Sequence, residues 1–93
     1  MFDSITIEQK HIDQGVSGNC YLCPIALALL SNGAEEVSIN STRGRYKIEG
    51  DVFWFHMPWS LRVFVWNFDR GIAVNTGTFK IETYLETNGE GIK

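Results

Sequence analysis

Two cysteines stand three positions apart in Cys20-Tyr21-Leu22-Cys23-Pro24, a C-x-x-C spacing that suits dithiol redox chemistry or half of a metal site. At the head of a helix, the N-terminal dipole favours the thiolate that redox chemistry needs. Against that role, no βαβ unit precedes the motif, and the residues after Cys23 read as buried helix. Packing is therefore the expected role of both thiols. A closed zinc site needs four ligands, which this chain can supply only by bringing His11 and His56 from distant positions to Cys20 and Cys23. That spacing matches no finger pattern, so no metal and no other cofactor is expected.

Other catalytic signals are thin. No Ser or Cys has a local His partner in a strained elbow. Asp13, Glu35, Glu36, Asp51 and Asp69 are scattered, without the pairing that holds a divalent ion or runs acid/base work. Gly15-Val16-Ser17-Gly18-Asn19 looks superficially like an anion-binding loop, yet it matches neither G-x-x-x-x-G-K-[ST] nor G-x-G-x-x-G. The expectation is a protein that is not an enzyme.

The aromatic residues carry a stronger signal. Of twelve, seven lie between Phe53 and Phe68, and at about 150–250 Å² each they amount to roughly 1,000–1,700 Å² of surface seeking shelter. Pro58 and Asp69-Arg70-Gly71 punctuate a helix over residues 58–70. On a 100° wheel Leu61, Phe64, Val65 and Phe68 fall on one side, and Trp59, Val63, Trp66 and Arg70 fall on the other. The first stripe has a core composition. The second, with Arg62 beside it, has the Trp-plus-Arg composition of interface hot spots. Trp54, Trp59, Arg62, Val63, Trp66 and Arg70 are thus the expected partner-binding residues, serving a homodimer or a foreign protein. Two alternatives stand beside this. The aromatics are all internal, or they stack a small molecule or nucleotide whose charge is held by Arg62 or Arg70.

Positioning these residues requires a fold. Ser4 to Glu8 alternates like a half-buried strand, and glycines then mark a turn-rich stretch. Residues 20–31 read as a helix, with Pro24 in its first turn and Asn32-Gly33 as its stop. Val37–Asn40 and Tyr46–Glu49 form a hairpin around Ser41-Thr42-Arg43-Gly44, Val52–His56 adds a third strand, and Thr78–Tyr84 closes the sheet. The expectation is a single α+β domain over residues 1–86. Its antiparallel sheet of about four strands carries two helices in the order β-α-β-β-β-α-β. Residues 87–93 are read as a flexible polar tail.

Composition agrees with a globular chain: 93 residues, 44% hydrophobic and 20% charged. Eight basic against eleven acidic residues leave a net charge of −3, which argues against a nucleic-acid partner. The N-terminus lacks an apolar signal, and Ile25–Leu30 is far shorter than the ~20 residues of a membrane span. A cytoplasmic protein with reduced cysteines is expected.

His11-Ile12-Asp13-Gln14-Gly15, followed by Asn19-Cys20-Tyr21-Leu22-Cys23-Pro24-Ile25-Ala26-Leu27-Ala28-Leu29, resembles small uncharacterised bacteriophage-encoded proteins. Those proteins carry an H-I-x-x-G turn and a C-P-[VI]-A-L-A-L helix. Pro58–Gly71 looks like their Pro-led second helix, and Phe79-Lys80-Ile81 like their closing strand. The resemblance implies a shared α+β scaffold and a phage setting rather than a known activity; the aromatic region around Trp54, Trp59 and Trp66 then leads to the expectation of a non-enzymatic accessory protein that binds a host protein, with inhibition or redirection of that protein as the outcome to test. The dense Trp content of residues 54–66 departs from that pattern.

Overall fold

Alternating Ile5 and Ile7 make β1 (Ser4–Ile7), and a short helix α1 (Gln9–Gln14) follows where the sequence reads as turn. Then come α2 (Pro24–Ser31), β2 (Glu36–Ile39), β3 (Arg43–Ile48), β4 (Asp51–His56), α3 (Trp59–Asp69), β5 (Gly77–Lys80) and β6 (Thr83–Leu85). The computed structural model describes residues 1–86; the expected tail at 87–93 lies outside the described residues. The chain is α+β, with a four-stranded antiparallel sheet in the order β2-β3-β4-β6 and a separate two-stranded pairing of β1 with β5.

Three boundaries differ from expectation, each for a local reason. The helix expected from residue 20 starts at Pro24, because Asn19 Oδ1 accepts the Tyr21 and Leu22 amides at 2.9 and 3.1 Å in an Asx turn. Cys23, ahead of the proline, is extended at φ −71°, ψ 165°. The hairpin turn ends early, since Asn40 Oδ1 accepts the amides of Thr42 and Arg43 at 2.9 and 2.8 Å, and Arg43 and Gly44 already belong to β3. The expected last strand is two. Gly77–Lys80 pairs with β1, Ile81 N–H donates to Asp3 O at 3.0 Å, and Thr83–Leu85 crosses to β4.

The core lies between the inner face of the four-stranded sheet and the helices. Tyr46 and Phe55 from the sheet, Ile25 and Leu29 from α2, Ile5 and Ile7 from β1, and Leu61 and Phe64 from α3 are all buried. Tyr46 also closes a polar ring: Phe2 N–H donates to its hydroxyl at 2.9 Å, that hydroxyl donates to Thr83 Oγ1 at 3.2 Å, and Thr83 Oγ1 donates to Phe2 O at 2.6 Å. These bonds satisfy the one polar atom of a ring that is 1% exposed.

His11 explains much of the H-I-x-x-G turn. The Glu8 amide donates to its Nδ1 at 2.9 Å, so Nε2 carries the hydrogen and donates to Ser31 Oγ at 2.8 Å, and Ser31 Oγ donates to Leu27 O at 3.0 Å. The neutral ring fastens α1 to α2. Gly15 completes the turn because a Cβ there would stand 2.7 Å from Pro24 Cδ and 2.9 Å from His11 O. Burial, outweighing the nearby Glu8 carboxylate, holds the His11 pKa below its ordinary value. The unfolded chain therefore takes up a proton as pH falls below about 6.5, before the folded chain does. Stability is expected to be intact above about pH 6.5 and to decline as pH falls from there to the folded pKa. Urea midpoints across that window should show the decline, and it should vanish in His11→Ala.

Candidate functional site

Every fourth or third residue of α3 returns to the same side, and the burial of the helix splits as that period dictates. Leu61 is 0% exposed and Phe64 5%, with Val65 and Phe68 half-buried against the core. Phe64 meets Phe79 of β5 edge-on, with centroids 5.8 Å apart. On the opposite side Trp59 is 77% exposed, Trp66 57% and Val63 37%. The reading in which all the aromatics are internal is thus overturned. One side of α3 joins the core and the other faces water.

Arg62 and Arg70 flank this outer stripe, each already engaged. The Arg70 guanidinium lies over the Trp66 ring, 4.1 Å from its centroid, and Arg62 Nε donates to Met57 O at 3.0 Å. The Trp66–Arg70 stack holds one indole in a fixed orientation on the surface. The rings and the arginines stand on the convex outer face of the helix.

Trp54 does not join the stripe. Pro58 separates β4 from α3, and Trp54 lies on the outward face of the sheet, where Tyr84 and His56 sit with centroids 4.8 and 5.0 Å from its ring. The Arg43 guanidinium covers it at 4.5 Å. The expected single aromatic surface is therefore two: the outer stripe of α3 and a cation–aromatic cluster on the sheet. Sequence reasoning missed Arg43, Arg45 and Lys47 as members of the second. Their two-residue spacing in a strand was the available signal.

The candidate metal residues are not brought together. Both ring nitrogens of His11 are engaged between α1 and α2, Cys20 and Cys23 sit ahead of α2, and His56 packs against Trp54. Among the described residues no three His, Cys, Asp or Glu side chains converge as ligands. Burial pushes the Cys23 thiol up, with smaller opposing help from the Ala26 and Ile25 amides, so the expected dipole effect on reactivity is overridden. The Gly15–Asn19 loop does bind an anion, but the anion is its own: Gly18 N–H donates to Asp69 Oδ1 at 2.9 Å, tying the end of α3 to the loop. No helix among the described residues is long and apolar enough to cross a membrane.

In comparisons with known proteins, no family model, no curated protein and no solved structure matches this chain.

Proposed function

We infer that this chain is a non-enzymatic binding protein that lays the outer stripe of α3 into an apolar groove on a partner protein. In the phage setting the resemblance implies, that partner is a host protein in the bacterial cytoplasm. The observation that carries this reading is the exposure of Trp59 and Trp66, at 77% and 57%, on a helix whose other side is core. Trp59, Val63 and Trp66 stand at i, i+4 and i+7, the anchor spacing of a helix seated in a groove.

Size favours a groove over a second copy of the same helix. An eleven-residue helix is about 16 Å long, and its stripe offers on the order of 400–500 Å², against roughly 800 Å² per partner in a standard interface. A groove supplies the missing area by enclosing both flanks; stripe against stripe does not.

The test pairs affinity capture from a host lysate with sedimentation of the purified chain. A captured host protein that is lost with the Trp59→Ala/Trp66→Ala double variant, with a monomeric chain and a melting temperature lowered by no more than the about 2–8 °C that losing the Trp66–Arg70 stack accounts for, is the expected result. Identical capture by both chains would overturn the reading. A dimer that dissociates in the double variant would give the stripe to a second copy instead.

A further inference from the structure

In an antiparallel ladder, residues alternate between bonding their partner and turning their N–H and C=O to the opposite edge. In β1 the odd residues bond β5, since Ile81 N–H donates to Asp3 O at 3.0 Å and the register carries that alternation on to Ile5 opposite Phe79 and Ile7 opposite Gly77. Thr6 and Thr78 form the closer, non-bonding kind of pair, and their hydroxyls meet at 3.0 Å as that geometry allows. The even residues therefore turn their backbone groups away from β5. Phe2 N–H is taken by the Tyr46 hydroxyl at 2.9 Å, and Glu8 N–H by His11 Nδ1 at 2.9 Å. Between them, Ser4 and Thr6 leave two N–H and two C=O groups with no partner among the described residues. Along this edge runs a cavity of about 260 Å³, whose walls include Met1, Phe2, Leu29 and Asn32 as well as Ser4 and Thr6. The outer edge of β2, by contrast, is covered where Ile39 N–H donates to Cys20 O at 2.8 Å.

We propose that the free edge of β1 takes an extended polypeptide segment of a partner protein as an added strand. Donors and acceptors that alternate along one line, with the Ser4 and Thr6 sets about 6.8 Å apart, are matched by another extended backbone. Ile5 and Ile7 are buried, so a segment laid beside them follows the same alternation. Its residue level with Ile5 turns inward toward Leu29, and those level with Ser4 and Thr6 face water. The segment this edge selects therefore reads polar, apolar, polar, with no proline at the bonding positions. A second copy of this chain fits less well. Leu29 and Asn32 line the cavity, so the end of α2 borders the place of the incoming strand; a copy's β1 arrives with its own α2 packed against it, and the two helix ends would claim one space. A segment free of tertiary structure brings no such helix. This edge shares no residue with the outer stripe of α3, and neither reading depends on the other.

The test starts with amide hydrogen exchange of the free chain, followed by NMR. The Ser4 and Thr6 amides are expected to exchange fast, and those of Ile5 and Ile7, bonded to β5, slowly. Octapeptides selected from a displayed random library on the wild-type chain, with the Thr6→Pro chain as counter-selection, then serve as the probe. A dye-labelled selected peptide is expected to bind the wild-type and Trp59→Ala/Trp66→Ala chains alike and to slow the Ser4 and Thr6 amides at saturation. Its affinity for Thr6→Pro should be at least about 5-fold weaker, because that variant lacks one donor and leaves a peptide carbonyl unpaired. Proline at an edge position whose N–H faces outward leaves the β1–β5 ladder in place, and Ser4→Pro repeats the measurement should Thr6→Pro melt early. Slow exchange at Ser4 and Thr6 in the free chain, no peptide surviving the counter-selection, or a peptide that binds without slowing these amides or is lost with the tryptophans would each overturn the proposal. So would protection of these amides that grows with chain concentration, which would give the edge to a second copy.

Discussion

Gly44→Ala is expected to lower the melting temperature by about 10–20 °C, a loss of roughly 2–3 kcal/mol. A Cβ at this position would fall on the Phe55 ring, 2.6 Å from Cε1 and 2.9 Å from Cε2. Phe55 is 0% exposed and is held beside Tyr46 with centroids 6.2 Å apart, so its ring has nowhere to go without disturbing the core. The matched control is Gly50→Ala. A Cβ there meets nothing within 4 Å, and the cost is only that of a non-glycine residue at φ +86°, about 1–2 kcal/mol. Thermal unfolding followed by circular dichroism distinguishes the two, and a Gly44→Ala shift of only a degree or two would mean that the sheet opens easily between β3 and β4.

The two sides of α3 should respond to alanine in opposite ways. Leu61→Ala removes a side chain that is 0% exposed and is expected to cost about 2–5 kcal/mol, a large share of the roughly 5–14 kcal/mol that holds a domain of this size together. Trp66→Ala gives up mainly its stack with Arg70, worth about 0.5–1 kcal/mol. Its expected effect on partner binding is about 30-fold or more, the scale of a hot-spot tryptophan. Denaturant midpoints and partner titrations on the same two variants check this crossing pattern. A Trp66→Ala chain as unstable as Leu61→Ala would place that indole in the core.

The division of α3 was legible in the sequence because bulky residues at a 3.6-residue period leave little choice of faces, and Pro58 and Gly71 bracket the segment. The closing strand was legible only in part. Its alternation correctly turns Phe79 and Ile81 toward the core, but alternation specifies a face and says nothing of the neighbour, so the switch from β1 to β4 around Ile81 and Glu82 left no trace. Gly44 read as a turn residue, since a glycine demanded by a ring packed on its backbone looks the same in sequence as one demanded by a bend. α1 was hidden because its N-terminal anchor is a histidine accepting the Glu8 amide, outside the usual Ser, Thr, Asp or Asn vocabulary. Trp54 was grouped with Trp59 by proximity along the chain, although a strand and a helix separated by proline aim their side chains independently. The cation row of β3 was hidden by averaging, since a net charge carries no information about which side of a sheet the charges occupy.

The ring of hydrogen bonds among Phe2, Tyr46 and Thr83, together with the pairing of β1 and β5, has a consequence for how the molecule is made. Its partners are separated by up to 81 positions, and contacts so distant pay their loop-closure entropy before they return any stability. A nascent chain still lacking residue 83 therefore cannot complete its architecture. The tryptophans of α3 emerge from the ribosome before that closure, so the interval until residue 83 follows them is the time when this fold is most exposed to chaperones.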